Sequence, residues 1–195
     1  MSQQLRVFVS SVQKELEDER VIVQNLLNTD AFLAAHVAPV LYEFEPATPD
    51  KVLEGCLKSL DGCQVYLLIV AAQYGGLVGK LSITHAEYRH AKKKKLPVLA
   101  FIKGDRSVKR EAGTEALLRE LDADGPKYKR FGNVIDLQKE VRPRLSSCSR
   151  SSSASPRPPT KTKLHNTPSR PLPRSNPSPF PGCAGKSLTM RSFAA

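Results

Sequence analysis

Residues 65–72, which read VYLLIVAA, are apolar at every position. A strand with one face exposed to solvent alternates apolar and polar side chains. A strand whose two faces are both covered by helices has apolar side chains on both faces. A glycine-containing loop, residues 73–81 (QYGGLVGKL), follows directly. The segment therefore predicts a central strand of a parallel sheet.

Strand and helix patterns alternate on both sides of this segment. Further strands are predicted at four places in the chain, at residues 5–9 (LRVFV), 37–44 (VAPVLYEF), 96–102 (LPVLAFI) and 128–131 (YKRF). Helical patterns lie between them, with a start signal at Thr48-Pro49-Asp50. A closing helix is predicted over residues 133–145, and we expect Pro143 to end it. The alternation predicts an α/β fold, a doubly wound parallel sheet of about five strands with helices on both faces.

The last 50 residues differ sharply in composition from the rest of the chain. Residues 146–195 hold 9 of the 15 prolines, 12 serines and eight basic residues without an acidic one. Residues 1–145 carry 22 Lys and Arg against 19 Asp and Glu, so most of the net charge of +11 belongs to the end of the chain. Such a segment cannot bury enough apolar surface to offset the entropy of ordering it.

We therefore predict a folded domain over residues 1–145 and a disordered, basic Ser/Pro/Arg-rich tail over residues 146–195. The positive charge of the tail predicts weak, non-specific contact with nucleic acid.

The sequence shows no pattern for a membrane span, a secretory signal or a metal site. Its longest apolar run has eight residues, far short of the roughly 20 that span a bilayer. The beginning, MSQQLRVFVSSVQ, has no basic start that leads into a long apolar core. The cysteines form no Cys-x-x-Cys pair, and the histidines lack metal-like spacing. We expect a cytoplasmic protein with reduced thiols and no metal; the sequence identifies no cofactor.

A binding crevice is predicted from the sheet topology. In open parallel sheets, ligands bind beyond the carboxyl ends of the strands, where the strand order reverses. With the order 2-1-3-4-5, the loops after the first and third strands face that point. Glycines there permit close backbone approach, hydroxyls offer hydrogen bonds, and a tyrosine ring could stack on a ligand. The predicted ligand contacts are Ser10, Ser11, Tyr74, Gly75 and Gly76, joined by Ser82 and Thr84 at the start of the next helix.

The next helix, within residues 82–95 (SITHAEYRHAKKKK), brings Glu87 to the same crevice. Thr84 and Glu87 fit a capping box, in which each side chain accepts a hydrogen bond from the backbone amide of the other residue. Ser10 and Gln13 fit a second capping box. Loss of such a cap costs about 1 kcal/mol, which is a sufficient structural reason for the pattern. The alternative is that Glu87 contacts a ligand or acts as a catalytic residue, and the sequence leaves both interpretations open.

Three stretches, occurring in order, resemble a known family. They are RVFVSSVQKELEDER (6–20), QYGG (73–76) and SITHAEYRHAKKKKLPVLAFIKG (82–104), and they look like the domain-of-unknown-function 4062 family (DUF4062) over about residues 5–145. That family is similar to TIR domains and nucleoside 2-deoxyribosyltransferases, which share a flavodoxin-like fold. In those relatives a glutamate early in a helix attacks or stabilises the sugar carbon of an N-glycosidic bond. Glu87 resembles it by position.

The resemblance implies two functions. Members of the family often form the N-terminal module of larger signalling or defence proteins, which implies binding of a nucleotide-like ligand or a protein partner without turnover. The chemistry of the relatives implies the alternative, an N-glycosidic bond hydrolase or transferase acting on NAD or nucleosides, with Glu87 as the catalytic residue. TIR-like relatives often act as oligomers, so a homo-oligomer is a further expectation left open. The capping-box explanation of Glu87 favours the first function.

Overall fold

The computed structural model describes residues 4–42 and 51–153. Its strands, β1 to β7 in chain order, are Leu5–Ser10, Val37–Val40, Val65–Val70, Leu77–Val78, Leu81–Ser82, Val98–Lys103 and Lys129–Phe131. Its helices, α1 to α6, are Glu17–Thr29, Ala31–His36, Val52–Asp61, Ile83–Lys93, Ala112–Asp124 and Val134–Ser153.

Five of these strands form one sheet in the order β2-β1-β3-β6-β7, and all four neighbouring pairs are parallel. When the strands of this sheet alone are counted, the order is 2-1-3-4-5, which is the order that the crevice prediction assumed. The sequence-based prediction of a doubly wound α/β sheet is therefore confirmed. Strands β4 and β5 pair separately as a short antiparallel hairpin inside the segment that was predicted to be a loop.

The sheet divides the core into two layers because successive side chains of a strand point to opposite faces. Val7 and Val9 of β1 pack with apolar residues of α1, α2 and α6, whereas Phe8 packs with residues of α3, α4 and α5. All six residues of β3 are buried, which explains why residues 65–70 are apolar without alternation. Ser10 follows Phe8 by two positions and so points to the same layer as α4.

Helix α6 does not end at Pro143, and that prediction was wrong. The helix continues through the proline to Ser153. Proline removes one helical hydrogen bond and disfavours the preceding turn, but the buried side chains of Leu137, Val141 and Leu145 anchor the helix against the core on both sides of it. Packing of an apolar face outweighs the local preference here.

Other sequence predictions need smaller corrections or lie outside the described residues. Helix α2, which begins where the Asp30 carboxylate caps the amides of Phe32 and Leu33, was not predicted. The predicted helix start at residues 48–50, the end of the predicted strand at residues 43–44, and the tail from residue 154 onward fall outside the described part. The domain boundary at residue 145 thus stays a prediction. None of the described helices has the length and apolar character that a bilayer span requires.

Candidate functional site

A cleft with a volume of about 480 Å³ lies at the carboxyl ends of β1 and β3, beside the start of α4. This is the point at which the strand order reverses, where open parallel sheets bind ligands. Six of the eight predicted site residues line the cleft: Ser10, Ser11, Gly75, Gly76, Thr84 and Glu87. The structure therefore brings together the serine pair, the glycine turn and the predicted carboxylate on one rim of the sheet.

Ser10 connects the sheet to α4. It is the last residue of β1, it is 2% exposed, and its Oγ donates a hydrogen bond of 2.5 Å to Glu87 Oε2. The predicted capping box of Ser10 and Gln13 is wrong, because α1 begins only at Glu17 and has no side-chain cap. Strand β1 extends to Ser10, and the Ser10 side chain bonds to helix α4 across the interface between the sheet and that helix.

The N-cap of α4 is Ser82, not Thr84. The Ser82 hydroxyl accepts a hydrogen bond of 3.2 Å from the amide of His85. Thr84 lies within the first turn, and the Glu87 carboxylate points to Ser10, so the capping box predicted for these two residues is wrong. Residues three or four apart share one face of a helix, which is why Ile83, Thr84 and Glu87 all line the cleft. Glu87 is only 5% exposed, and helix capping no longer explains it.

Ser11, the residue after β1, bonds to α1 rather than to α4. Its Oγ accepts a hydrogen bond of 2.7 Å from Nη1 of Arg20, which is 6% exposed and also lines the cleft. Arg20 was missed by sequence reasoning, although a signal exists. It falls on the buried stripe of α1 between Leu16 and Val23, where a charged side chain needs a partner. The cleft therefore holds a buried cation on the β1 side and a buried carboxylate on the α4 side.

The loop after β3 is held by two carboxylates that sequence reasoning also missed. Glu15 accepts hydrogen bonds from the amides of Ala72 and Gln73, at 2.9 and 3.0 Å, and Glu111 accepts one of 2.8 Å from the amide of Tyr74. Amides at the end of a parallel strand are common binding groups for phosphate. Because these three are already bonded to carboxylates, an anionic ligand would not find them open.

The Tyr74 side chain does not line the cleft. Its Oη lies 2.7 Å from Nδ1 of His85, whose Nε2 lies 3.0 Å from Oε2 of Glu120. His85 is 2% exposed, and Arg89 bonds to the same Glu120 carboxylate. This chain of contacts fixes the loop to α4 and α5. The stacking of Tyr74 on a ligand stays a prediction that the arrangement of the ring does not favour.

Tyr66 is fully buried, does not line the cleft, and interacts electrostatically with Glu87. Burial raises the pKa of its phenol well above the usual value of 10, and the negative charge of Glu87 raises it further. The phenol therefore keeps its proton, which its Oη donates to the carbonyl oxygen of Thr84 at 3.3 Å. The residues around the carboxylate thus form a fixed, mostly buried polar cluster that opens on one side to the cleft. Within the described part of the chain, no group of three or more His, Cys, Asp or Glu side chains is arranged to hold a metal ion.

A family model described as "Domain of unknown function (DUF4062)" matches residues 6–146. The chain belongs to this family. The match confirms the family resemblance drawn from the three sequence stretches, and it spans every element from β1 into α6. All of the residues that line the cleft lie within the DUF4062 domain.

Among solved structures, the chain is similar to the crystal structure of a conserved protein from Enterococcus faecalis V583. The two are 15% identical, with a TM-score of 0.42, and the match covers 73% of this chain and 99% of that one. At this level of similarity nothing about function follows. No curated protein is similar enough to this chain to count as a match.

Proposed function

We propose that the DUF4062 domain of this chain binds a nucleotide-like small molecule in the cleft between β1, β3 and α4, as an intracellular signalling or defence-type module. The observation that carries the proposal is the position of Glu87. Its carboxylate is nearly buried, it lines a cleft at the strand-order reversal, and it contacts Ser10 rather than its own helix terminus. A buried carboxylate that no cap explains is a candidate for ligand contact.

Different residues of the cleft can contact the sugar, the base and the phosphate of a nucleotide-like ligand. The Glu87 carboxylate and the Thr84 hydroxyl can accept hydrogen bonds from sugar hydroxyls, and Gly75 and Gly76 allow the loop backbone to approach a base closely. A phosphate would meet Arg20 and Lys14, which both line the cleft, because Glu15 and Glu111 already hold the amides after β3. This distribution of charge fits a nucleoside with few phosphates better than a polyphosphate.

The test is a thermal-shift titration of the full-length chain with adenosine, ADP-ribose and NAD. A ligand that binds only the folded state raises the melting temperature in proportion to its concentration relative to Kd. We expect a shift with at least one of the three and an affinity at least about tenfold weaker, equivalent to 1.4 kcal/mol, in Glu87→Gln. The control is Glu17→Gln, which removes an exposed carboxylate from the first turn of α1. Equal binding by both variants would overturn the site, and the absence of any shift would favour a protein partner.

Cleavage of an N-glycosidic bond is the second candidate, and the Glu87 carboxylate, which lines the cleft and is oriented by the hydrogen bond from Ser10, favours it. With NAD, the bond between ribose C1′ and the nicotinamide nitrogen would break, and its electron pair would leave with nicotinamide. Water would add to C1′ and lose a proton, while the Glu87 carboxylate stabilised the positive charge that develops on the sugar. Glu87 is the only described carboxylate of the cleft that lies on α4.

Product release separates the two candidates. Concentrated full-length protein, which also allows for activity that needs a homo-oligomer, is incubated with NAD, and free nicotinamide is measured by chromatography. If the protein is an enzyme, the parent protein should release nicotinamide. The Glu87→Gln variant should release none and should have the same melting temperature as the parent protein. Binding without release by the parent protein supports a module without turnover.

A further inference from the structure

A second concave surface is lined by four arginines. It has a volume of about 300 Å³ and lies between the loop after β6, helix α5 and strand β7. We call it the arginine groove, after Arg106, Arg110, Arg119 and Arg130. It shares no lining residue with the cleft. Whatever binds in the groove is therefore independent of the proposed function of the cleft.

Two of the four guanidinium groups are held in place by backbone carbonyls. Arg110 Nη2 donates to the carbonyl oxygens of Lys103 and Asp105 at 3.0 and 3.1 Å, and Arg130 Nη1 donates to those of Gly104 and Asp105 at 3.1 and 3.0 Å. Both guanidinium groups thus converge on the carbonyl oxygen of Asp105. Carbonyls satisfy N–H groups without removing their charge, so two positive charges are kept close together. The carboxylate of Asp105 interacts electrostatically with Arg130 but forms no ion pair with it.

None of the four arginines forms an ion pair with a described residue. A carboxylate oxygen within 4.0 Å defines such a pair, and no described carboxylate reaches any of these four guanidinium groups. In contrast, Arg89, Arg142 and Arg144 each pair with a carboxylate. In addition, Nε of Arg110 is buried and has no hydrogen-bond partner in the described part. The groove therefore holds positive charge that no described carboxylate pairs with.

Arg110 and Arg130 have a structural role, because their bonds to backbone carbonyls stabilise the end of β6 and the loop after it. The other two arginines have no such role. Arg106 and Arg119 are exposed, and their side chains make no hydrogen bond to a described residue. They approach the groove from two elements, the loop after β6 and helix α5. The side chains of four arginines from three elements thus line one small volume. That arrangement suits an oxyanion, because each planar guanidinium can donate two parallel hydrogen bonds to phosphate oxygens.

We propose that the arginine groove binds the phosphate groups of a small phosphorylated molecule. Its size and its acidic border favour a small ligand over a nucleic acid. Glu115 and Asp122 line the same groove, and they would repel a polyanion that continues beyond one or two phosphates. Tyr128, whose ring lies 5.7 Å below the Arg130 guanidinium, adds a flat surface for an organic group attached to the phosphate.

The test uses inorganic pyrophosphate as the probe and the full-length chain. Binding is measured by calorimetric titration at constant ionic strength, because unspecific attraction would otherwise change with salt. The informative variant is Arg106→Gln with Arg119→Gln, since neither side chain supports the fold through a described bond. The matched control, Lys80→Gln with Lys93→Gln, removes the same charge from exposed positions outside the groove.

We expect pyrophosphate to bind the parent chain and the lysine control with similar affinity, and the arginine variant about tenfold or more weakly. Equal weakening in both variants would show attraction by net charge alone and would overturn the proposal. So would the absence of binding to the parent chain. A single-stranded RNA oligonucleotide is titrated in parallel. RNA binding that depends on Arg106 and Arg119 and resists competition by pyrophosphate would assign the groove to nucleic acid and also overturn it.

Discussion

The hydroxyl of Ser10 donates a 2.5 Å hydrogen bond to the carboxylate of Glu87, which joins the last residue of β1 to the fifth residue of α4 across 77 positions of sequence. Both side chains are nearly buried. The contact directs the carboxylate to the rim of the cleft and away from the helix terminus that Ser82 caps. This hydrogen bond therefore connects the central sheet to the helix that carries the candidate site residue Glu87.

Substitution of Ser10 by alanine is expected to lower the free energy of unfolding by about 1–3 kcal/mol. A hydrogen bond to a buried charged group contributes more than one between neutral groups, because the carboxylate loses solvent when the protein folds. Urea denaturation measures the change. Ser151→Ala, at an exposed position of α6, serves as the control and should alter stability by less than about 0.5 kcal/mol. Similar small effects of both substitutions would contradict the contact.

Tyr74 and Gly113 form a second close contact, which makes a double-mutant cycle informative. A Cβ atom at Gly113 would lie 2.3 Å from Cδ1 of Tyr74. Gly113→Ala should therefore destabilise the protein, although alanine is normally favoured over glycine in a helix by roughly 0.5–1 kcal/mol. In a Tyr74→Ala background the same change should be neutral or stabilising. Thermal unfolding of the four proteins tests this, and additive effects of the two substitutions would show that the ring lies elsewhere.

Replacement of Pro143 by alanine is expected to stabilise the domain by about 1–3 kcal/mol. Pro143 is the tenth residue of α6 and lies in its interior. Alanine restores a backbone N–H for the helix and is about 3 kcal/mol more favourable than proline there, part of which is offset by a more flexible unfolded chain. The midpoint of urea denaturation should rise. An unchanged or lower midpoint would indicate that the helix does not continue through this position in solution.

Asp61 and Asp124, the last residues of α3 and α5, pair with lysines at the end of α4 and predict a pH dependence. A hydrogen bond from Lys92, followed by one from Tyr88, lowers the pKa of Asp124, and Lys94 followed by His90 lowers that of Asp61. A carboxyl group whose pKa is lower in the folded state stabilises the protein above its unfolded pKa, near 3.9, and this contribution is lost as the pH falls through the folded pKa.

As the pH falls below about 4, the melting temperature of the double variant Asp61→Asn with Asp124→Asn should therefore decrease less than that of the parent chain. Both side chains are partly exposed, so the difference is expected to be modest. Melting curves at pH 5, 4 and 3 provide the measurement. Asp122→Asn, at an exposed position of α5, should follow the parent chain. Parallel pH profiles for all three proteins would refute the role of the two ion pairs.

The sheet could be predicted because its signals are local. Residues 65–70 are apolar on both faces since both faces are covered, and the alternation of strands and helices leaves few topologies. The position of the cleft followed from the strand order, so six site residues could be named without coordinates. The strands of the sheet and the position of the cleft could be predicted because both follow from which segments are apolar.

The side-chain partners could not be predicted in the same way. The capping boxes at Ser10 and Thr84 have sound local chemistry, but Ser10 bonds across the sheet to Glu87, and Ser82 takes the cap. Packing of α6 likewise outweighed the preference of Pro143. Such contacts join residues far apart in sequence, and local patterns contain no information about them.

Photolabelling with 8-azidoadenosine, which carries no phosphate that the arginine groove could bind, tests the proposed cleft most directly. After irradiation of the full-length chain and proteolysis, the labelled peptides are identified by mass spectrometry, with and without excess adenosine. If the ligand binds in the cleft, label is expected in peptides that contain residues 10–20 or 73–89, and it should be suppressed by adenosine and reduced in Glu87→Gln. Label confined to other peptides, or label in these peptides that adenosine does not suppress, would contradict it.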